Sequence, residues 1–351
     1  MKVSYFFVLW EAPLVCVISA GRSLTSGIEL ALEYAAGRPC HILARASWDL
    51  AVIGEAIASA HRWLSETHPE ARLVAMAPTA ADADYMTGLG VASLHAHNCA
   101  FISERIYFPE PGAAKTFDAV HNAQTKPFKR HELALGVRNL ALITYDEPEA
   151  TDAVADLVAR YRHLAYANYS AAAGCRTLSG AEVRKVVSAA RCGLALSETE
   201  GPNNASMEYF LSGVPLVSTP SRGGREAMYD PRHVAIVAPT RMAVERAVAA
   251  FRRRAPDPQE IRAAALARSR PHRARLIAWL SDIVGRDLAG DADENLWLPQ
   301  FTDKLRQTWR VEVGPDGRIR AQEPIDWTGW QTGPAGAESA AHQGAIDPAI
   351  R

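Results

Sequence analysis

Short apolar runs alternate with stretches of helical spacing along most of the chain. The runs that predict strands are residues 2–8, 40–44, 73–77, 91–95, 116–120, 139–144, 164–168, 192–196, 216–219 and 234–237. The stretches that predict helices are residues 27–35, 54–68, 79–88, 130–135, 151–162, 179–190, 205–211, 241–253, 258–269 and 273–284. A loop is predicted between the first strand and the first helix. Strands that alternate with helices favour an α/β fold with parallel sheets and right-handed crossovers.

The most informative stretch is residues 197–226, SETEGPNNASMEYFLSGVPLVSTPSRGGRE. The buried strand predicted at 192–196 precedes it, and the helix at 205–211 is followed by the strand at 216–219. Two strands therefore direct two loops and one helix N-terminus at the same crevice. Free backbone N–H groups at a helix start carry partial positive charge, so the crevice suits an anion such as a phosphate.

Glycines and carboxylates surround this predicted anion site. Gly201 allows the backbone to approach a ligand closely, and Gly223 and Gly224 allow the same on the facing loop. A carboxylate beside a phosphate is unfavourable, so Glu200 and Glu208 are better placed to accept hydrogen bonds from hydroxyl groups. A sugar ring and a ribose supply such hydroxyls. The residues therefore predict a pocket for a sugar joined to a nucleotide through a diphosphate.

The spacing of the two acids also resembles a known family. Glu200 and Glu208 form the E-x7-E pattern of retaining GT-B glycosyltransferases, and the family 4 type is the most similar. The residues that match the family pattern are Ser197, Glu200, Gly201, Ala205, Ser206, Glu208, Gly213, Val214, Pro215, Gly223 and Gly224. The alternative is a doubly wound domain whose surface helix carries two acids at this spacing by chance.

The resemblance implies a GT-B fold, in which two Rossmann-like, doubly wound parallel-sheet domains face a central cleft. Asn98, Phe108 and Pro109 resemble the segment that closes the family's N-terminal domain. The predicted parts are a shortened acceptor-side domain at 1–112, a donor domain at 113–290, an extension at 291–331 and a disordered tail at 332–351. The extension is predicted to pack back on the first domain, although residues 278–280 could make the same return crossing.

The resemblance also assigns roles to residues of this chain. Glu200 and Lys129 take the catalytic positions, Glu200 to orient the hydroxyls of the donor sugar and Lys129 to hold the diphosphate. Glu208 holds the ribose. Asn122 stands where the family has an arginine that holds the diphosphate. Lys126 or Arg130 could make that contact instead, or both could be solvated loop charges.

Further residues complete the predicted site. The donor loop and the first helical turn are Gly201, Pro202, Asn203, Asn204, Ala205 and Ser206. Gly223 and Gly224 line the cleft from the facing loop. His97 follows a predicted strand of the first domain, where it either faces the cleft or is structural. No residue matches the histidine that the family places in its N-terminal domain.

The bulk numbers restrict the partners. The chain has 351 residues, 48% of them apolar and 22% charged, with a net charge of −1, which gives no argument for binding nucleic acid. The five cysteines are scattered, so they predict buried thiols in a reducing compartment and no zinc site. Glu11 and Pro13 interrupt the apolar N-terminal run, which favours a first strand and loop over a secretory leader. A cytoplasmic protein with at most peripheral membrane contact is expected.

The resulting functional prediction is a glycosyltransferase that retains anomeric configuration and needs neither a metal nor another cofactor. The predicted partner is a nucleotide-sugar donor, with an unidentified glycan, lipid-linked or small-molecule acceptor, and a homo-oligomer stays possible. Two alternatives remain open from the residues. One is an inactive nucleotide-sugar-binding module or subunit, which the shortened first domain and Asn122 favour. The other is a nucleotide-sugar epimerase, which the paired glutamates fit less well.

Overall fold

The computed structural model describes residues 2–4, 6–21, 24–145, 151–161, 164–170, 174–288, 309–313 and 319–324. The predicted tail at 332–351 and most of the predicted extension at 291–331 lie outside the described residues.

Strands and helices alternate along much of the described chain, as the hydrophobic pattern predicts, although strands follow one another directly within residues 2–20 and 165–175. The strands are β1 (Lys2–Ser4), β2 (Phe6–Glu11), β3 (Leu14–Ala20), β4 (Cys40–Ala46), β5 (Ala71–Ala77), β6 (Ser93–His95), β7 (Ala119–Gln124), β8 (Leu140–Tyr145), β9 (Ala165–Tyr166), β10 (Tyr169–Ser170), β11 (Gly174–Cys175), β12 (Gly193–Ala195), β13 (Leu216–Ser218), β14 (Val234–Ile236), β15 (Trp309–Val313) and β16 (Ile319–Pro324). The helices are α1 (Leu24–Ala35), α2 (Leu50–Thr67), α3 (Ala80–Gly88), α4 (Thr151–Arg160), α5 (Gly180–Ser188), α6 (Asn204–Leu211), α7 (Arg241–Arg254) and α8 (Pro258–Val284). Short 3-10 turns are Asn98–Phe101, Pro127–Lys129, His131–Ala134 and Arg225–Met228.

The first large sheet has the order β2-β3-β4-β5-β6, with β2 antiparallel to β3 and the other pairs parallel. The prediction of a loop after residue 8 is wrong here, because Leu14–Ala20 forms a fully buried strand of the sheet. Since β3 to β6 follow one another in sequence order, α1, α2 and α3 pack on the same face of the sheet.

The opposite face of this sheet is covered by the rest of the molecule. Val17 and Leu43 from this face share one hydrophobic cluster with Val120 of β7 and with Leu276 and Leu280 of α8. The core therefore runs without a break from the first sheet, across α8, to the second sheet.

The second large sheet is entirely parallel, in the order β14-β13-β12-β7-β8-β9. The order reverses between β7 and β12, where Val120 pairs with Gly193. Ligands of open α/β sheets bind at such a switch point, beyond the carboxyl ends of the strands. A smaller antiparallel sheet joins β15 and β16, near the C-terminus, to β1 at the N-terminus.

Helix α8 connects the two halves of the molecule. The sequence predicts two helices here, and that prediction is wrong, because one helix continues from Pro258 to Val284 with Pro271 inside it. Arg262 donates to the carbonyls of Tyr107 and Leu211, while Arg273 pairs with both oxygens of the Glu104 carboxylate. The helix therefore packs on elements of both halves. Of the helices within the described residues, none combines the length and apolar character needed to cross a membrane.

Candidate active site

The site lies at the carboxyl ends of β12 and β7, next to the start of α6. Helix α6 begins one residue before its predicted start, because Asn203 is its N-cap. The Asn203 side-chain oxygen accepts hydrogen bonds from the Ser206 amide at 2.7 Å and from the Ser206 hydroxyl at 2.9 Å. Local capping chemistry therefore fixes where the helix starts and holds the preceding donor loop against it.

Glu200 is held between two cations. Its Oε1 accepts from the Lys129 ammonium, and its Oε2 lies 3.4 Å from Nη1 of Arg225. Burial on its own raises the pKa of a carboxyl group, but Lys129 and Arg225 outweigh it and hold the pKa of Glu200 below its ordinary value. The carboxylate is therefore charged at neutral pH and its direction is fixed from both sides.

Glu208 occupies a different environment, on the buried face of α6. It is 2% exposed, and its Oε2 accepts from the Asn122 side-chain amide at 3.0 Å. The Asn122 backbone N–H donates to the Tyr209 hydroxyl at 2.8 Å, so β7 and α6 are joined by neighbouring contacts. The Asn122 amide nitrogen donates this hydrogen bond, so the Asn122 Oδ1 faces away from Glu208. That oxygen is buried without a partner among the described residues.

Lys129 and Arg130 leave the same turn in different directions. Lys129 ends the 3-10 turn Pro127–Lys129 and reaches Glu200, as described above. Arg130 donates to the Leu196 carbonyl and, at 2.8 Å, to the Thr219 hydroxyl. Arg130 therefore ties the ends of β12 and β13 together, and the helix predicted at 130–135 is a 3-10 turn at His131–Ala134.

The three glycines of the site permit close packing between loops. A Cβ on Gly201 would lie 2.9 Å from the backbone nitrogen of Trp48, a residue that follows β4 of the first sheet. A Cβ on Gly223 would overlap the Glu200 carbonyl oxygen, and one on Gly224 would lie 3.0 Å from Pro78. These glycines bring the two site loops against each other and against the first half of the molecule.

The remaining donor-loop residues lie in the same first turn and the loop before it. Pro202 and Ala205 are half-buried, whereas Asn204 is buried. The Asn204 side-chain oxygen has no hydrogen-bond partner within the described part of the chain. The Ser206 hydroxyl also lies 3.1 Å from the Tyr229 hydroxyl. The predicted donor-loop residues are therefore adjacent, as their order in the sequence requires.

His97 is fully buried where the first sheet meets α8. Its Nδ1 accepts from the Cys99 amide at 3.2 Å, and its ring centroid lies 5.9 Å from that of His272 on α8. Burial and the neighbouring His272 lower the pKa of His97 to about 3. The ring is therefore neutral at physiological pH, and it lies beside His272 of α8 and close to the backbone of Gly224 in the site loop.

Several residues of the site were absent from the sequence predictions. Arg225 is 1% exposed and contacts Glu200, and Tyr229 contacts Ser206. Trp48 meets Phe128 edge-to-face with ring centroids 5.0 Å apart, which joins the two halves beside Lys129. The position of Arg225 directly after Gly223 and Gly224 was the one available signal. No cluster of three or more metal-binding side chains occurs in the part of the chain that the structure describes.

The two sheets and their connection define a class of fold. The fold is GT-B, with two α/β domains built around the two large sheets. The doubly wound strand order is found in the second sheet, whereas the first sheet follows the order of the sequence.

The comparisons with known proteins rest on structure alone. HepE of Anabaena, crystallised with UDP and glucose, superposes with a TM-score of 0.54 at 12% identity, over 76% of this chain and 77% of HepE. Its crystal structure with UDP gives a TM-score of 0.50 at 12% identity, over 72% of this chain and 74% of HepE. No protein-family model and no curated protein sequence matches this chain. At this identity the likeness shows the fold and nothing finer.

Proposed function

We propose that the chain is a glycosyltransferase that moves a sugar from a nucleotide-sugar donor to an acceptor. The observation that carries the proposal is the pair Glu200 and Glu208 at the switch point of the second sheet. Glu200 is an ionised, doubly held carboxylate beside the helix N-terminus, and Glu208 is a buried carboxylate held by Asn122. Two carboxylates in such different settings fit two sets of hydroxyl groups on one ligand.

The proposed roles follow the position of each group. Glu208 accepts hydrogen bonds from the ribose, and the unpartnered Oδ1 of Asn122 is an additional acceptor beside it. Glu200 orients the hydroxyls of the transferred sugar. Lys129 and the first N–H groups of α6 stabilise the charge that grows on the departing diphosphate. Since Asn122 stands where the family that this sequence resembles has an arginine, Lys129 provides a larger share of the stabilisation of that charge.

The donor is proposed to be a uridine diphosphate sugar, because HepE, which shares the fold, was crystallised with UDP and with UDP and glucose. We further propose that anomeric configuration is retained. We also propose that no metal takes part, since Lys129 and the backbone N–H groups of α6 stabilise the diphosphate. The acceptor is a glycan, a lipid-linked saccharide or a small molecule, and the reaction takes place in the cytoplasm.

A catalytically inactive donor-binding module is the second candidate. Two observations favour it: the amide of Asn122 in place of an arginine, and a short first domain whose own helices α1, α2 and α3 all lie on one face of its sheet. An inactive module would bind the donor and release no product. A nucleotide-sugar epimerase of related fold is a weaker third candidate, distinguished by conversion of the donor without any acceptor.

The test is a thermal-shift screen against UDP-glucose, UDP-N-acetylglucosamine, GDP-mannose, ADP-glucose and CMP-sialic acid, followed by assay of nucleotide release. A donor at one hundred times its dissociation constant should add about 2.7 kcal/mol of stability. Glu208→Ala should abolish this gain, whereas Glu66→Gln, a change at an exposed acid of α2, should keep it.

The outcomes separate the candidates. A transferase is supported if the protein binds the donor and releases UDP slowly, and if an extract that contains acceptors accelerates the release. The NMR signal of the anomeric proton in the product then shows whether the configuration is retained. Binding without turnover under any condition favours the inactive module. Donor affinity that survives Glu208→Ala contradicts the proposed site.

A further inference from the structure

Arg225 has no role in the proposed reaction, yet it is a buried cation in contact with Glu200. Its side chain is 1% exposed, and Nη1 lies 3.4 Å from Oε2 of Glu200. A buried guanidinium is costly unless it is paired and hydrogen-bonded, so its position needs an explanation.

The backbone holds Arg225 in one place. Its Nη2 donates to the Ala195 carbonyl at 3.1 Å, to the Ser218 hydroxyl at 3.1 Å and to the Thr219 carbonyl at 2.8 Å. These acceptors lie at the carboxyl ends of β12 and β13. The guanidinium is thus fixed to the sheet, and Glu200 is fixed through it.

Lys129, which is also buried, binds the other oxygen of Glu200. It approaches from the loop after β7, and its flexible stem carries a single ammonium group. A diphosphate carries more negative charge than one carboxylate and therefore competes for this ammonium. When Lys129 turns to the diphosphate, Glu200 keeps Arg225 as its cationic partner.

We propose that Arg225 is a positioning residue that keeps Glu200 ionised and correctly directed while Lys129 moves from Glu200 to the donor diphosphate. This inference rests on the proposed function. It assigns the two cations different tasks: Lys129 exchanges partners on donor binding, and Arg225 does not. Glu200 can then accept hydrogen bonds from the donor sugar in the loaded site.

Four nearby titratable groups do not replace Arg225 in this task. His121 is neutral, since burial and the nearby His131 lower its pKa well below the ordinary value. Burial raises the pKa values of Tyr229 and Cys99, so both stay protonated. Arg130 is committed to Leu196 and Thr219.

The experiment compares two ligands, UDP and UDP-glucose, by titration calorimetry on Arg225→Met and Arg225→Lys. UDP lacks the sugar that Glu200 faces, so Arg225→Met should weaken UDP-glucose binding about tenfold and leave UDP within about threefold, where tenfold corresponds to 1.4 kcal/mol. Arg225→Lys should restore part of the loss. Arg262→Met, which removes an arginine that binds the carbonyls of Glu104, Tyr107 and Leu211, the last residue of α6, should change neither affinity.

A double-mutant cycle separates positioning from support of the fold. In a Glu200→Gln background, Arg225→Met should have little further effect on UDP-glucose affinity, because the group it positions is gone. Equal losses for both ligands, or additive losses in the cycle, would overturn the inference. If Arg225→Met does not fold, Arg225→Lys is compared in the wild-type and Glu200→Gln backgrounds, and its losses of UDP and UDP-glucose affinity are judged in the same way. A wild-type chain that binds UDP but not UDP-glucose also overturns it, whereas one that binds neither overturns the proposed function itself.

Discussion

Two ionisable side chains at the site, Glu200 and His97, are held in opposite charge states by their surroundings. Glu200 is kept charged by Lys129 and Arg225, while His97 is kept neutral by burial. The E-x7-E spacing and the family resemblance named Glu200 and Lys129 as candidates, and the structure brings their side chains into contact. The sequence could not predict that Arg225 is buried against Glu200, because an arginine after two glycines is more often solvated.

The buried histidines predict a loss of stability in acid. The pKa values of His97 and His272 are lowered to about 3 and about 4, whereas both return to about 6.5 in the unfolded chain. The unfolded chain therefore binds more protons below pH 6.5, so this stability is complete above about pH 6.5 and is lost as the pH falls. At pH 5, His97 alone should cost about 2 kcal/mol.

Urea unfolding at pH 7 and pH 5 measures this effect. His97→Gln removes the titrating ring, so its free energy of unfolding should fall less than that of the wild type between the two pH values. Equal falls in the two proteins would show that His97 does not stay neutral in the folded state.

At the scale of elements, the periodic pattern predicts most helices and strands but misses those that depend on distant packing. Strand β3 follows a hairpin turn at Ala12 and Pro13, and its continuous apolar run carries no alternation to mark it. Pro271 predicts a helix end, yet α8 continues because both of its halves are held by buried contacts. Tertiary packing outweighs the local cost of the proline there.

Local chemistry fixes where the shorter helices start. The Ser179 capping box begins α5 and the Thr79 side chain caps α3, close to the predicted starts at 179 and 79. The site helix α6 is similarly determined by Asn203, although its first residue was misplaced by one. Caps are visible in the sequence because partner and helix are only a few residues apart.

The glycine loop after β13 gives a prediction at this scale. Gly223 has φ of 106°, and a Cβ there would overlap the Glu200 carbonyl oxygen. Gly223→Ala should therefore push the two site loops apart, lower the free energy of unfolding by about 3 kcal/mol or more, and weaken donor binding.

Gly112→Ala is the matched control, since Gly112 also has positive φ but no atom within 4 Å of an added Cβ. It should cost about 1 kcal/mol from the backbone conformation alone and leave donor affinity unchanged. Chemical denaturation and calorimetry measure both quantities. Similar costs for the two substitutions would contradict the close approach of the loops.

At the scale of the molecule, the two domains share a core instead of meeting across a separate interface. Helices α1, α2 and α3 cover one face of the first sheet. The other face packs against α8 and against the hydrophobic cluster that extends into the second domain. The sequence predicted two domains from motifs and length. It could not predict this dependence on α8, because α8 lies more than one hundred positions further along the chain than the sheet that it covers.

The shared core predicts that α8 determines the stability of the whole molecule. Arg273 is the most heavily bonded residue of this contact: it pairs with both carboxylate oxygens of Glu104, at 2.9 and 2.6 Å, and donates to the Ala100 and Ile102 carbonyls. A lysine carries one compact ammonium and cannot reproduce this planar set of donors. Arg273→Lys should therefore lower the free energy of unfolding by about 1–3 kcal/mol.

Arg270→Lys, at an exposed position of the same helix, should stay within about 0.5 kcal/mol of the wild type. Because the first sheet cannot bury both faces without α8, unfolding of Arg273→Lys should remain a single transition at a lower midpoint. Two separate transitions, followed by circular dichroism and tryptophan fluorescence, would show instead that the domains are stable on their own.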